Sequence, residues 1–323
     1  MSNRSFFGLL IVLSFSTTLV AGEGAFRFLA TGDVPYSQEQ EADYRRFLKQ
    51  SEAENFQFMV HVGDIKSGGS PCTDESFVKI RDLFRAYPKP VVYTPGDNEW
   101  TDCHGTGSDP IERLKKLREL FFKDPATLRL SKLGAIQQSR SKQYLRYVEN
   151  YRFSRSGVLF IVVHVVGSGN NRRADDPPSL KEFTERDQAN TAFLKESFAE
   201  AIKKDVPGVA VIFHANPDFE NVAGEGFKSF IATMREFLSK YHKPVIGLHG
   251  DSHYFRIDKP LKSELIKVKD TDKQEGGKTL LHFSRVEVFG SPVVAGLAIT
   301  VNPKDPQVFT VRPYFLKDKK NDK

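Results

Sequence analysis

Sulfur is scarce in this chain, and no obvious nucleophile stands out. Its 323 residues hold two cysteines, one tryptophan and three methionines. Two cysteines are too few for a thiolate metal site, and no Cys-His pairing marks a thiol hydrolase. A Gly-x-Ser-x-Gly elbow is also missing, which sets aside a serine hydrolase built on that turn. No internal repeat or low-complexity linker divides the chain, and no basic stripe interleaved with aromatics makes a case for nucleic-acid binding. There is one long apolar run, Phe6 to Val20, preceded by Arg4 and followed by Val20-Ala21-Gly22, and no second. Residues 1–22 therefore read as a secretory signal peptide, excluded from fold reasoning, which places the mature chain outside the cytoplasm, secreted or periplasmic. An N-terminal membrane anchor is the alternative. Ser14, Ser16, Thr17 and Thr18 interrupt the run, and a span normally needs about 20 apolar residues, so no transmembrane segment is expected after cleavage.

Removing the leader takes away Arg4 and no acid, so the formal charge of +6 falls to +5. Part of the excess sits in the basic tail 317–323, read as a solvated terminus. The balance is compatible with an anionic substrate and says nothing about oligomeric state. Cys72 lies eight residues after Asp64, and Cys103 six after Asp97. An even count at such mirrored positions in an exported protein favours a disulfide stapling two loops, with two free thiols as the alternative.

Strands and helices alternate legibly. Phe26 to Ala30 reads as a strand, Gln38 to Ala53 as a helix, Phe58 to Val62 as a strand and Asp74 to Tyr87 as a helix capped by Asp74. Val91 to Thr94 is a third strand. Asp109-Pro110 opens a helix to about Phe122, with proline at its first position. Tyr144 to Val148 and Tyr151 to Phe153 read as a hairpin around Glu149-Asn150, and Val158 to Val166 as a central strand. Residues 167–178 read as a polar loop, a surface-exposed or substrate-side insertion. A helix from about Thr184 to Lys203, a strand Val209 to Phe213, a helix from about Gly226 to Tyr241 and a strand Pro244 to Leu248 follow. Short runs from Tyr254 to Val311 suggest meandering β-structure. The expectation is one layered α/β domain over 23–316.

Five segments end a strand with an acid or a histidine. They are Ala30-Thr31-Gly32-Asp33, His61-Val62-Gly63-Asp64, Pro95-Gly96-Asp97-Asn98-Glu99, Phe213-His214 and His249-Gly250-Asp251-Ser252-His253. Residues of these types brought to one place most simply bind divalent metal ions. Their order resembles the calcineurin-like metallophosphoesterase superfamily. The resemblance implies a four-layer β-sandwich flanked by helices, with two divalent metals held by loops at strand ends. It also implies hydrolysis of a phosphomonoester or phosphodiester by metal-activated water. By position, Asp33 would ligate one ion, Asp64 would bridge both, His214 would bind the second and His253 the first.

The departures from that pattern all run one way. Where relatives typically have Asp-x-His, the third position is Pro35, which cannot ligate, and Tyr36 is the nearest replacement. Asp97 takes the place of the ligand asparagine, and Asn98 that of the histidine that assists catalysis. Asparagine can donate a hydrogen bond to a phosphate oxygen but cannot transfer a proton at neutral pH. Asp251 stands where a histidine ligand is usual. The expected ligand set is Asp33, Asp64, Asp97, His214, Asp251 and His253, which favours Mn²⁺, Mg²⁺, iron or Ca²⁺ over Zn²⁺.

Lys66 is a candidate to neutralise a phosphate oxygen beside Asn98. His104 and His249 are candidates for the missing proton donor, with His249 favoured as a buried residue. Trp100 is expected to pack beneath the Asp97 loop, and Arg172 and Arg173 to be solvated. The leading expectation is an exported metal-dependent phosphoesterase. The alternative is a non-catalytic metal-binding or interaction protein on the same fold.

Overall fold

A computed structural model describes residues 24–221, 223–267 and 274–317. Residues 1–23, where the leader is expected, and residues 318–323 of the expected basic tail lie outside these. The strands in chain order are β1 (Phe26–Thr31), β2 (Phe56–His61), β3 (Val91–Tyr93), β4 (Ile136–Gln137), β5 (Tyr151–Arg155), β6 (Val158–Val162), β7 (Val209–Ile212), β8 (Val245–His249), β9 (Arg256–Asp258), β10 (Leu265–Lys267), β11 (Gln274–Gly276), β12 (Phe283–Glu287), β13 (Ala295–Val301) and β14 (Phe309–Phe315).

Strand β1 sends Phe28 and Ala30 to one side and Leu29 to the other, and all three are fully buried. Phe28, Ala30, Phe58, Val60 and Val92 face Phe153, Phe160, Val162, Ala210, Ile212 and Leu248 across the middle of the molecule. Leu29, Met59 and Val91 instead meet Tyr44, Phe47, Phe77, Ile80 and Phe84, carried by the helices Gln38–Glu52 and Asp74–Ala86. On the far side Leu159, Ile161, Val209 and Val211 pack on Phe193, Phe198, Phe230 and Phe237, from the helices Pro177–Lys203 and Lys228–Leu238. Each central strand is thus covered on both faces, which is why its sequence reads as continuous rather than alternating apolar residues. The four layers run helices, sheet, sheet, helices.

The first sheet has the order β14-β13-β1-β2-β3, the second β4-β5-β6-β7-β8-β12-β9, and β10-β11 form a separate ribbon. Strands β1, β2 and β3 are parallel, as are β6, β7, β8 and β12. Parallel strands deliver all their C-terminal loops to one edge, so the two sheets bring their loops together at one end of the sandwich.

Four local expectations are corrected. The hairpin pairs β5 with β6 around Ser156-Gly157, and 142–144 forms a helical turn instead of a strand. Gly157, at φ 81°, allows the tight reversal. Thr73, not Asp74, caps the second helix, its Oγ1 accepting from the Ser76 N–H at 3.2 Å. The long helix starts at Pro177, so the loop before it is shorter than read. The C-terminal part is no simple meander, because β12 lies parallel to β8 with Phe283 opposite Val245. Asp109 does cap the helix Pro110–Leu117, accepting from Ile111 N at 2.8 Å.

Two buried histidines make the core acid-sensitive. His61 sits against the Val34 carbonyl at 3.0 Å, and burial pushes its pKa down to about 4. His164 Nδ1 lies 3.1 Å from Glu149 Oε1, and burial pushes it down to about 4 as well. The unfolded chain protonates both near their ordinary value while the folded state holds them neutral. The contribution of these two histidines to stability is therefore complete above about pH 6.5 and falls as pH drops toward 4, each by at most about 1.4 kcal/mol per pH unit. Urea midpoints of wild type and His164→Gln measured from pH 7.5 to 4.5 isolate this contribution: the wild-type midpoint is expected to fall relative to the variant's as pH drops, and a difference that stays constant across the window would refute the assignment.

Candidate metal centre

The loops after β1, β2, β3, β7 and β8 converge, and what they bring together is mostly carboxylate. Ligand atoms of Asp33, Asp64 and His253 all lie within 4.8 Å of one another, and so do those of Asp64, Asp97 and His214. Asp64 belongs to both groups. Asp33, Asp64, Asp251 and His253 all have positive φ, at 55°, 56°, 81° and 64°. Non-glycine residues enter this region at a cost, and runs of such positions mark loops whose geometry is imposed by function.

The space between the loops is made by glycine. A Cβ on Gly63 would lie 2.4 Å from the Gly96 nitrogen, and one on Gly96 would lie 2.1 Å from Asp64 Oδ1. The two Gly-Asp loops therefore touch backbone to backbone. A disulfide between Cys72 and Cys103, with Cα atoms 5.8 Å apart, ties the continuations of the same two loops. Between them Lys66 Nζ donates to the Asn98 carbonyl at 2.7 Å, and its side chain is almost wholly covered.

Both imidazoles are oriented by main-chain carbonyls. His214 Nδ1 is 2.8 Å from Val62 O, and His253 Nδ1 is 2.8 Å from Ser291 O. Each contact fixes the Nδ1–H tautomer and turns Nε2 inward, as a metal-ligating histidine requires. His214 Nε2 faces Asp97 Oδ1 at 2.8 Å, Asp64 Oδ1 at 3.4 Å and Asp251 Oδ1 at 3.7 Å. His253 Nε2 is 3.8 Å from Asp33 Oδ1 and 3.2 Å from the Tyr36 hydroxyl. Tyr36 also donates to Asp64 Oδ2 at 2.9 Å. A phenol thus stands between Asp64 and His253, next to the position where Pro35 offers nothing. Burial and the neighbouring carboxylates push its pKa far up, so it is a neutral donor here.

The electrostatics call for a cation. Burial pushes the Asp33, Asp64 and Asp251 carboxyls up and Asp97 adds to the rise, while His214 pulls against it. Asp97 alone goes down: burial opposes this, but the hydrogen bond and charge of His214, helped by Ser168, outweigh it. Asp33 Oδ2 is buried with no hydrogen-bond partner. Four carboxylates, three of them buried and one of these with an orphan oxygen, are the donor set of hard divalent ions. The residues fit the two divalent ions that the resemblance implies.

The other expected site residues are distributed less evenly. Asp251 lies outside both three-residue groups; its Oδ2 accepts from the Asn216 N–H at 2.7 Å while Oδ1 faces His214. Asn98 grips Asp64 twice, through its backbone N–H to Oδ1 at 3.0 Å and its side-chain amide to Oδ2. His104 is exposed, its Nδ1 on the Thr101 carbonyl at 2.7 Å, and the hydrogen bonds of the cluster do not include it. His249 is fully buried against Phe213, and burial pushes its pKa down to about 3, so it holds no proton to give near neutrality. Trp100 is buried beneath the loop, with Arg186 5.3 Å over its ring. Arg172 and Arg173 pair loosely with Glu225 and Asp176. Ser168 and Asn216 were not expected. A run of αL-tolerant residues, Gly167-Ser168-Gly169-Asn170-Asn171, was the available signal for the first. A cavity of about 420 Å³ lined by Pro244, Ile257, Lys259, Leu281 and Phe309 carries none of these groups.

Gly63→Ala tests the loop contact. A side chain there meets the Gly96 backbone at a φ of 102°, and the expected loss is about 3 kcal/mol or more by thermal or urea unfolding. A change within about 0.5 kcal/mol, the range of an ordinary surface substitution, would contradict the packing described.

Residues 26–255 match the family model for calcineurin-like phosphoesterases. No curated protein sequence matches the chain. Among solved structures, a dimetal phosphatase from Danio rerio is similar at 12% identity and a TM-score of 0.52, covering 90% of this chain and 99% of that one. The protein TT1561 of Thermus thermophilus is similar at 10% identity and a TM-score of 0.52, covering 91% and 100%. At these identities the likeness shows the fold, and the family follows from the sequence model: the chain belongs to the calcineurin-like phosphoesterases, hydrolases of phosphoric ester bonds.

Proposed function

We propose that this chain hydrolyses a phosphomonoester or phosphodiester at a carboxylate-rich dinuclear centre, as an exported protein. The observation that carries the proposal is Asp64, the one carboxylate common to both groups of ligand atoms. Two cations held close together need a shared anion to offset their repulsion, and a carboxylate with one oxygen toward each supplies it. The leader-like N-terminus and the Cys72–Cys103 disulfide support export, since such bridges persist in oxidising compartments.

Asp33, Asp64 and His253 would hold one ion, and Asp64, Asp97 and His214 the other, with Asp251 beside the second. When bound, the pair supplies the Lewis acidity that polarises phosphoryl oxygens and acidifies water. The remaining work falls to the chain. The Val62 and Ser291 carbonyls aim the two imidazoles. Asn98 and Tyr36 hold the Asp64 carboxylate, and the Asn98 amide can turn to a phosphate oxygen as a donor. Lys66 fixes the backbone of Asn98 and adds positive charge beneath the site. Four carboxylates against two imidazoles favour Mn²⁺, Mg²⁺, iron or Ca²⁺ over Zn²⁺.

A consequence follows from Asn98. It cannot protonate a leaving group, and His104 and His249 do not contact the cluster in the described hydrogen bonds. The leaving oxygen then departs as an anion, so turnover favours esters of acidic alcohols.

With Mn²⁺ added, aryl phosphate mono- and diesters are expected to be hydrolysed, with rates that fall steeply as the leaving-group pKa rises. Asp64→Ala is expected to lower the rate by at least about a hundredfold. Absence of turnover with any metal, in protein that retains two ions, would replace this reading with a metal-binding protein on the same fold. Stoichiometric zinc in protein purified without added metal would overturn the metal preference.

A further inference from the structure

Asp97 has a partner that the metal-centre reading leaves unused. Ser168 Oγ lies 2.8 Å from Asp97 Oδ2, while Asp97 Oδ1 faces His214 Nε2 at 2.8 Å. The same hydroxyl is 2.7 Å from Asp102 Oδ1, an oxygen that also accepts from Thr101 Oγ1 at 3.0 Å, whereas Ser168 is the one donor to Asp97 Oδ2 among the described hydrogen bonds. A serine has one proton to give, and Asp97 is the carboxylate that otherwise keeps a free oxygen toward the site.

The segment holding Ser168 is costly to form. Ser168, Gly169, Asn170 and Asn171 all have positive φ, at 48°, 64°, 59° and 58°. Gly167 runs so close that a Cβ there would lie 2.5 Å from Asp251 Oδ1 and 2.7 Å from Asp97 Oδ2. Fully buried Arg186 secures it, donating to Asn170 Oδ1 at 2.7 Å and to the Asn170 carbonyl at 3.0 Å. Asn170 in turn donates to Gly226 O at 2.8 Å. A strained backbone is thus held with the Ser168 hydroxyl between the Asp97 and Asp102 carboxylates.

We propose that Ser168 is a positioning residue that occupies Asp97 Oδ2 and so makes Asp97 a one-oxygen ligand, with Oδ1 alone offered to the second cation. The proposal rests on the metal-centre reading above. A free carboxylate can take a cation with one oxygen or two and carries its whole charge to the site. With Oδ2 bonded to a hydroxyl, Oδ1 is fixed in direction and the ligand set is defined.

Ser168→Gly separates positioning from structure, because glycine suits φ 48° while lacking the hydroxyl. Chelator-treated wild type and variant are titrated with Mn²⁺ by calorimetry and by the electron paramagnetic resonance of free Mn²⁺. The variant is expected to bind the second Mn²⁺ about tenfold more weakly, while its metal-free melting temperature stays the same or rises. In an Asp97→Asn background the same change is expected to cost about threefold or less, because the bond is then between neutral groups. Equal affinity in wild type and Ser168→Gly would overturn the proposal and leave the dinuclear reading standing. Loss of affinity together with a lower metal-free melting temperature would also overturn it, since the loop would then be only structural. Failure of the wild type to take up a second ion would remove the dinuclear reading itself, and this role with it.

Discussion

Mutual repulsion among buried carboxylates is the constraint on which the rest of the structure depends. Asp33, Asp64, Asp97 and Asp251 converge where two sheets end, in surroundings that disfavour the charge of all but Asp97, which His214 holds ionised. His214 is the buried counter-charge in direct contact with the carboxylates, with Lys66 beneath them: burial opposes the protonation of His214, but Asp64, Asp97 and Asp251 push its pKa well up. One imidazolium among four acids leaves Asp33 Oδ2 unpaired. The site is arranged for more positive charge than the chain itself provides.

Much of the surrounding architecture holds that unfavourable cluster together. Parallel strands from both sheets aim their loops at one edge. The approach of Gly63 to Gly96, the Cys72–Cys103 disulfide and the bond from Lys66 to Asn98 O keep the two Gly-Asp loops in register. Main-chain carbonyls fix both histidines, and Arg186 fixes the left-handed turn beneath Ser168. Several of the ligand positions take backbone conformations costing about 1–3 kcal/mol each. Such strain persists because the packed layers on either side over-determine it.

The layered α/β organisation and the strand-end cluster were legible because strand-end signals are local, and the four-layer sandwich followed from the family resemblance those motifs carry. An apolar run followed by Gly-Asp or His identifies itself, and five in order narrow the family. The disulfide was legible from mirrored spacing. What escaped were contacts set by the backbone. The hairpin β5–β6 lay hidden because Tyr144 to Val148 alternates like a strand while Ser156-Gly157 carries the actual turn. Ser168 fell within a polar loop read as surface-exposed or on the substrate side, and its bond to Asp97 depends on a run of positive φ that composition does not specify. The Tyr36 hydroxyl was expected near Asp33, but its bonds to Asp64 and His253 depend on how the loop folds over the sheet edge. His104 shows the converse: adjacency to a motif in sequence did not bring its ring to the cluster.

The central claim is that Asp64 is shared between two cations. Crystals soaked in Mn²⁺ and measured at the manganese absorption edge test it directly. The account predicts two anomalous peaks about 3.5–4 Å apart, one on each side of the Asp64 carboxylate, with His253 beside one and His214 beside the other. A single peak, or two peaks with Asp64 bound to only one of them, would contradict it.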